Sequence, residues 1–204
     1  MNNSKTILFE LAEDTVYSAN KIVADIANKY PKIGDAVVFP INMENESHNV
    51  PIFIFKRNRG LQMSGNFYQM VFTVNDSSDY DVKDIISFMF DIFNKYDLKT
   101  VGVACIFDNI IDNDKIKEFK KRNFLKLGLA DDEQFHFNVV KIIDINGTDT
   151  RCLEGYSTLN TNFVSHFEFN MKKRVNSYLS LEGAISFFEE TLKFKEEKVK
   201  CTLD

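Results

Sequence analysis

Asp108, Asp112 and Asp114 fall within seven residues, directly after an apolar run. Three carboxylates so close could gather a hard divalent cation, which takes oxygen ligands. The stretch lacks the glycine and the distal glutamate of an EF-hand loop, and Asp and Asn between a strand and a helix also serve as turn formers and caps. Capping is the expected role, with a metal-dependent hydrolase as the alternative that these three aspartates would carry. Asp144-Ile145-Asn146-Gly147-Thr148-Asp149 resembles a calcium loop superficially, but Asn-Gly hairpin chemistry accounts for it.

The three histidines, His48, His136 and His166, are far apart, and none lies in a metalloprotease helix motif, a nucleophile elbow or a Cys-His context. His136 and His166 alternate with phenylalanines, a spacing that turns them away from the core side of a strand. Cys105, Cys152 and Cys201 contain no CxxC pair, so neither a disulfide framework nor a zinc knuckle is expected. Cys105, inside an apolar run, reads as a buried inert thiol. Eight glycines without a glycine-rich loop exclude P-loop and Rossmann phosphate cradles. No catalytic residue is assigned, and no cofactor is expected.

Charge narrows the partners. A net charge of −5 opposes general nucleic-acid binding, which needs a basic footprint. One segment runs the other way, with Lys115, Lys117, Lys120, Lys121, Arg122 and Lys126 against Glu118 alone. Arg57 and Arg59 mark a turn, and Lys172 and Lys173 follow a strand. A nucleic-acid-associated protein using residues 115–126 with these basic turns is the alternative if the patches converge on one face. A solvated amphipathic helix is the plainer expectation. Asp76, Asp79, Asp81 and Asp84 form a negative cluster that suits a capped helix start or, through Asp76 and Asp79, a basic partner surface.

The elements that must position these residues centre on 67–107, read as strand, helix, strand. Residues 67–74 are a buried-type strand, 81–96 an amphipathic helix and 99–107 a second buried strand. Val82, Ile85, Ile86, Met89, Phe93 and Tyr96 form one helix face, and Phe88, Phe90 and Ile92 widen the stripe beyond it. The helix is therefore either covered on two sides or offers Phe88, Phe90 and Ile92 to a partner. Upstream, 6–11 reads as a short strand, and Asp14 as the cap of a helix that Pro31 stops. Residues 36–41, 51–55 and 61–64 add short strands. Downstream come a short helix from Asp114 to about Arg122, and strands 134–145, 148–156 and 162–171 with Asn146-Gly147 as a hairpin turn. A helix capped by Ser180 and a closing strand at 198–203 complete the chain.

The fold class is α+β, antiparallel sheets with packed helices, arranged as two pseudo-repeated β-β-β-α-β units over 51–107 and 134–203. Both helices carry Ile-Ser-Phe, at Ile86-Ser87-Phe88 and Ile185-Ser186-Phe187. The 204 residues form one globular unit, with 1–128 and 129–204 as sub-domains. Twenty phenylalanines and no tryptophan imply a core layered with Phe. No signal peptide and no apolar run of membrane-span length is present, so a cytoplasmic protein without membrane contact is expected.

The order of elements resembles a family of uncharacterised bacterial proteins distributed sporadically across genomes. The likeness rests on Ile7-Leu8-Phe9-Glu10, on the helix ending at Tyr30-Pro31, and on Pro51-Ile52-Phe53-Ile54-Phe55 paired with Leu61-Gln62-Met63-Ser64. It continues through Val101-Gly102-Val103-Ala104-Cys105-Ile106-Phe107 to Phe167-Glu168-Phe169-Asn170 before a terminal helix. Where that family carries an Arg-Tyr pair after the glycine, this chain has Ala104-Cys105. The resemblance implies a fold pattern and no catalytic residue. These readings converge on a non-enzymatic binding or regulatory module that acts by protein–protein contact, with itself as a homodimer or with another protein. By analogy, it would be an accessory or inhibitor protein of a mobile element or a bacterial defence or anti-defence system.

Overall fold

The structure is a computed structural model that describes residues 3–12, 17–39, 51–55, 60–111, 114–124, 135–159, 162–172 and 177–203. Nine strands form one sheet: β1 (Ser4–Leu11), β2 (Ala36–Val38), β3 (Phe53–Phe55), β4 (Leu61–Gly65), β5 (Gln69–Asn75), β6 (Thr100–Ile111), β7 (His136–Ile145), β8 (Thr148–Leu159) and β9 (Asn162–Met171). The helices are α1 (Ala19–Lys29), α2 (Val82–Lys95), α3 (Asp114–Phe124) and α4 (Leu181–Leu203). Spatial order is β2-β3-β4-β5-β1-β6-β9-β8-β7, antiparallel at every junction. The fold is α+β.

The first strand, expected as a short one over residues 6–11, runs Ser4–Leu11 and lies at the centre of the sheet. Ile7, Phe9 and Leu11 are buried on one face, and β1 pairs along its length with both β5 and β6. Strand periodicity of two then assigns the faces of all its neighbours. Phe9 meets Phe90 and Phe93 of α2 edge-on at 5.7 and 5.3 Å. Phe107 and Phe169 meet Phe188 and Phe194 of α4 at 6.1 and 5.7 Å. Phe119 of α3 packs on Phe135, Tyr156 and Phe163. α1 lies beside α2, where Tyr30 contacts Phe88 edge-on at 5.3 Å. All four helices therefore cover the same face, and the phenylalanine layer sits between them and the sheet.

Local signals explain most boundaries. Asp81 caps α2 by accepting from the Lys83 amide at 2.9 Å. Ser180 caps α4 through the Gly183 amide at 3.1 Å. Asn146 and Gly147 both take positive φ, +52° and +74°, as a two-residue hairpin of the primed type demands. α2 ends without glycine: Asp97 takes φ +53° and the Leu98 amide closes back to the Phe93 carbonyl at 2.8 Å.

Two expectations are corrected. α1 begins at Ala19 with Ser18 at its N-cap position, whose side chain makes no capping bond, and Asp14 lies outside the described residues. Residues 198–203 are the last turns of α4, not a closing strand. Lys193 to Lys200 is rich in Lys and Glu, strong helix formers, and Phe194 and Val199 continue the buried stripe. The second unit therefore lacks its closing strand. The sheet also runs unbroken from β6 into β9, across the boundary drawn at 128/129.

Because Phe9 is fully buried against three other rings, Phe9→Ala should lower unfolding free energy by roughly 3–5 kcal/mol. Denaturant titration would measure this, with the exposed Val140→Ala as a control expected to change it by under about 0.5 kcal/mol.

Candidate functional site

With the helices on one side, the strand residues of opposite parity form a second face that no helix covers among the described residues. Register places them in rows. One row reads Ser4, Asp108, His166, Gly155 and Asn138 across β1, β6, β9, β8 and β7. The next reads Thr6, Ile106, Glu168, Leu153 and Val140, and the third Leu8, Ala104, Asn170, Arg151 and Ile142. Beyond β1 the face continues through Thr73 and Val71 of β5, with the Thr6 and Thr73 hydroxyls 2.8 Å apart.

Polar groups on this face are tied to one another. His166 Nδ1 lies 2.7 Å from Asp108 Oδ1, and its Nε2 lies 3.9 Å from Glu168 Oε2. Glu168 Oε1 accepts from Asn170 Nδ2 at 2.5 Å and from Arg151 at 3.4 Å. The hydrogen bond to Asp108, reinforced by the charges of Asp108 and Glu168, raises the His166 pKa against the opposing effect of burial. The imidazole is thus held between carboxylates that favour its charged form, and its cross-strand neighbours are Asp108 and Gly155 rather than a hydroxyl or thiol. That arrangement stabilises a cation and fixes side chains; it does not present a free base. Asn138 bonds His136 Nε2 at 2.7 Å and leans over Gly155, where an added Cβ would meet its Oδ1 at 2.5 Å.

In charge, the strand positions of this face carry Glu10, Asp108, Asp144, Asp149 and Glu168 against Arg151 and His166. In shape it is a broad surface with Leu8, Val71, Ala104 and Ile106 at its middle and Leu153, Val140 and Ile142 towards the β7 edge. A cavity of about 450 Å³ lies elsewhere, between the start of α1 and the β2 edge, lined by Tyr17, Ser18, Val38, Phe39 and Ile52 among others.

The residues singled out from sequence scatter. Phe90 and Ile92 are 7% and 2% exposed, and Phe88 packs under Tyr30 and Lys29. The widened stripe is core, covered by the sheet and by α1, so Phe90 and Ile92 offer nothing to a partner. Asp76 is bonded to Lys5 at 2.6 Å on the β5–α2 loop, and Asp79 is exposed on the same loop. Lys121 and Arg122 are exposed on α3, and Lys120 is buried with its amine over the Phe135 ring. Lys172 follows β9 at the end opposite to α3, about 30 Å away at ~3.3 Å per strand residue. The described basic residues therefore do not converge. Arg57, Arg59 and Lys173, and the side chain of Lys117, lie outside the described residues. Asp108 pairs with His166, while Asp112 and the side chain of Asp114 lie outside the described residues. Among those described, no group of three His, Cys, Asp or Glu could hold a metal ion.

His166 was legible as an outward-facing strand residue. Its partner was not, because Asp108 is 58 residues away and only the β6–β9 register brings the two together. No protein-family model matches the chain, and no curated protein is significantly similar to it. Among the described residues no helix is long and apolar enough to cross a membrane.

The raised His166 pKa sets a pH dependence. The imidazolium is favoured in the folded chain, so its stabilisation is full below the unfolded value of about 6.5 and fades as pH rises through the higher folded value. Wild type should melt above His166→Gln at pH 5.5, with the difference shrinking towards pH 9. An unchanged difference across that range would contradict this assignment.

Proposed function

We propose that the chain is a non-enzymatic binding module that acts through protein–protein contact, with the helix-free face of the sheet as its contact surface. One observation carries this reading: no helix covers this sheet face among the described residues, and it sets half-buried Leu8, Val71 and Ile106 at its middle beside an excess of carboxylates. Protein interfaces combine a desolvated apolar centre with a polar rim, and sheets that need no partner usually keep the outer face more uniformly polar. Leu8, Val71 and Ile106 supply the centre; Glu10, Asp108 and Glu168 surround it. The partner that fits is a polypeptide surface with an apolar patch and Lys or Arg around it.

The same carboxylates argue against phosphate-rich partners, since repulsion would oppose binding where a nucleic acid needs positive charge. The ties from Asp108 to His166 and from Glu168 to Arg151 hold the polar groups in fixed positions before any partner arrives, which lowers the ordering cost of association. A role as accessory or inhibitor subunit, in a mobile element or a conflict system, belongs to this same proposal.

The two-unit reading of the fold is also part of it. The unit is β-α-β-β-β-α rather than β-β-β-α-β: β1-α1-β3-β4-β5-α2 followed by β6-α3-β7-β8-β9-α4, with β2 additional. In support, β1 lies beside β5 as β6 lies beside β9, and the order mirrors about the β1–β6 junction. A pair of such units gives a continuous binding face twice as wide as one could offer.

Affinity purification of the tagged full chain from its native cells tests the reading. Wild type should retain a specific polypeptide that Ile106→Arg and Glu168→Arg lose, while both variants melt within a few degrees of wild type. Retention unchanged in both variants, or no specific polypeptide retained by wild type, would defeat the proposal.

A further inference from the structure

We propose that the outer edge of β7 is a self-association surface, on which β7 of a second copy of this chain pairs antiparallel about a two-fold axis. This inference is independent of the binding partner assigned to the open face.

The sheet has two ends, and they differ. At one, β2 is three residues long, too short to template another strand. At the other, β7 runs ten residues and pairs with β8 from His136 opposite Ser157 to Ile145 opposite Thr148 without a register shift. No described strand pairs with its outer side, so alternate backbone N–H and C=O groups along it point outward. Several devices that usually protect such an edge are absent among the described residues. His136-Phe137-Asn138-Val139-Val140-Lys141-Ile142-Ile143-Asp144-Ile145 contains no proline, no glycine and no bulge. Its one lysine, Lys141, turns to the helix side, where Glu154 at 2.9 Å and the Phe194 ring already hold its amine, so it leaves the open-face side of the edge apolar. Val140 and Ile142 are 55% and 66% exposed on the open face, and Val139 is 39% exposed on the other. A long, regular, β-branched edge of this kind is a template for pairing with another strand.

A second copy is the occupant that the strand itself specifies. A two-fold axis perpendicular to the sheet keeps open face with open face, so even positions must oppose even positions. Centring the axis on Val140 places Val140 opposite the partner's Val140, Asn138 opposite the partner's Ile142, and His136 opposite the partner's Asp144. On the helix side Phe137 faces the partner's Ile143, and Val139 the partner's Lys141. The apolar centre is then flanked at both ends by a pairing of imidazole with carboxylate. Moving the axis by one residue to Lys141 would set that lysine against its own copy and Asn138 against Asp144, and cross-strand like charges are unfavourable. Of these two registers the first opposes no like charges and alone pairs His136 with Asp144, and it would join two sheets into one of eighteen strands across the dyad, each protomer contributing its nine.

Sedimentation of the full chain over a dilution series up to its solubility limit tests this. Wild type should pass from monomer to a species of twice the chain mass. Val140→Lys and Ile142→Lys, both at exposed positions, should remain monomeric with unchanged melting. A wild type that stays monomeric throughout, or a dimer that persists in both variants or is lost in Ile106→Arg instead, would overturn the proposal. A second measurement fixes the register. In a Cys201→Ser background, which removes the exposed native thiol, copper–phenanthroline oxidation should link Val140→Cys chains into a covalent dimer. Ile142→Cys, set opposite Asn138 of the partner copy, should link far more slowly. Equal linking in the two would refute the Val140-centred pairing.

Discussion

The pairing of β1 with β6 is the constraint on which the rest of this structure depends. Strands β3 to β5 make one antiparallel meander and β7 to β9 another. Neither alone has two covered edges. β1 pairs with β5 on one side and β6 on the other, and β6 pairs in turn with β9, so β1 and β6 together close the gap between the two meanders. Its parity then fixes everything beyond it. Ile7 and Phe9 point to the helices, hence Cys105 and Phe107 do, hence Phe167 and Phe169, and every open-face row follows from the same alternation. A slip of one residue in β1 would bury Leu8 and Glu10 and expose Phe9, which explains why such register is strongly specified.

The phenylalanine-rich composition has a physical role in this layout. Four helices on a wide sheet leave crevices of uneven depth, and flat rings fill them by tilting: the pairs around Phe9, Phe107 and Phe119 range from nearly stacked to perpendicular. Among the described residues buried polar side chains are few, and Thr191 satisfies its hydroxyl on the Phe187 and Phe188 carbonyls of its own helix. Burial pushes the Cys105 thiol up to about 12 and the Cys152 thiol up to about 11, so both behave as small apolar fillers. All of this belongs to the core.

What could be read from sequence follows the range of the forces involved. Caps and turns are local, so Asp81, Ser180 and Asn146-Gly147 were visible in advance. The left-handed Asp97 that ends α2 was not, because aspartate there carries no glycine signal. The end of α4 was misread for a related reason: Val199 and Leu203 suggest a strand in isolation, whereas the preceding Glu and Lys residues and the packing of Phe194 on Phe169 extend the helix. The apolar stripe of α2 was correctly seen as too wide for one contact, but sequence could not say that α1 and the sheet would cover both sides. The cluster around His166 was invisible as a cluster, since its members come from β6, β8 and β9 and meet only through register.

This separation bears on where selection for function would act. The helix-side layer is determined by volume, and a substitution there acts first on stability. The open face is determined by neither volume nor chain closure. Sheet formation requires only that its residues tolerate extended backbone, so chemistry on that face is free to vary without unfolding the protein. Yet its central strands carry half-buried Leu8 and Ile106 where a solvent-facing sheet would ordinarily keep polar side chains, and they hold carboxylates in ion pairs. Isolated surface ion pairs add little to stability. Their arrangement beside an apolar centre fits the binding role proposed for this face more closely than a role in folding.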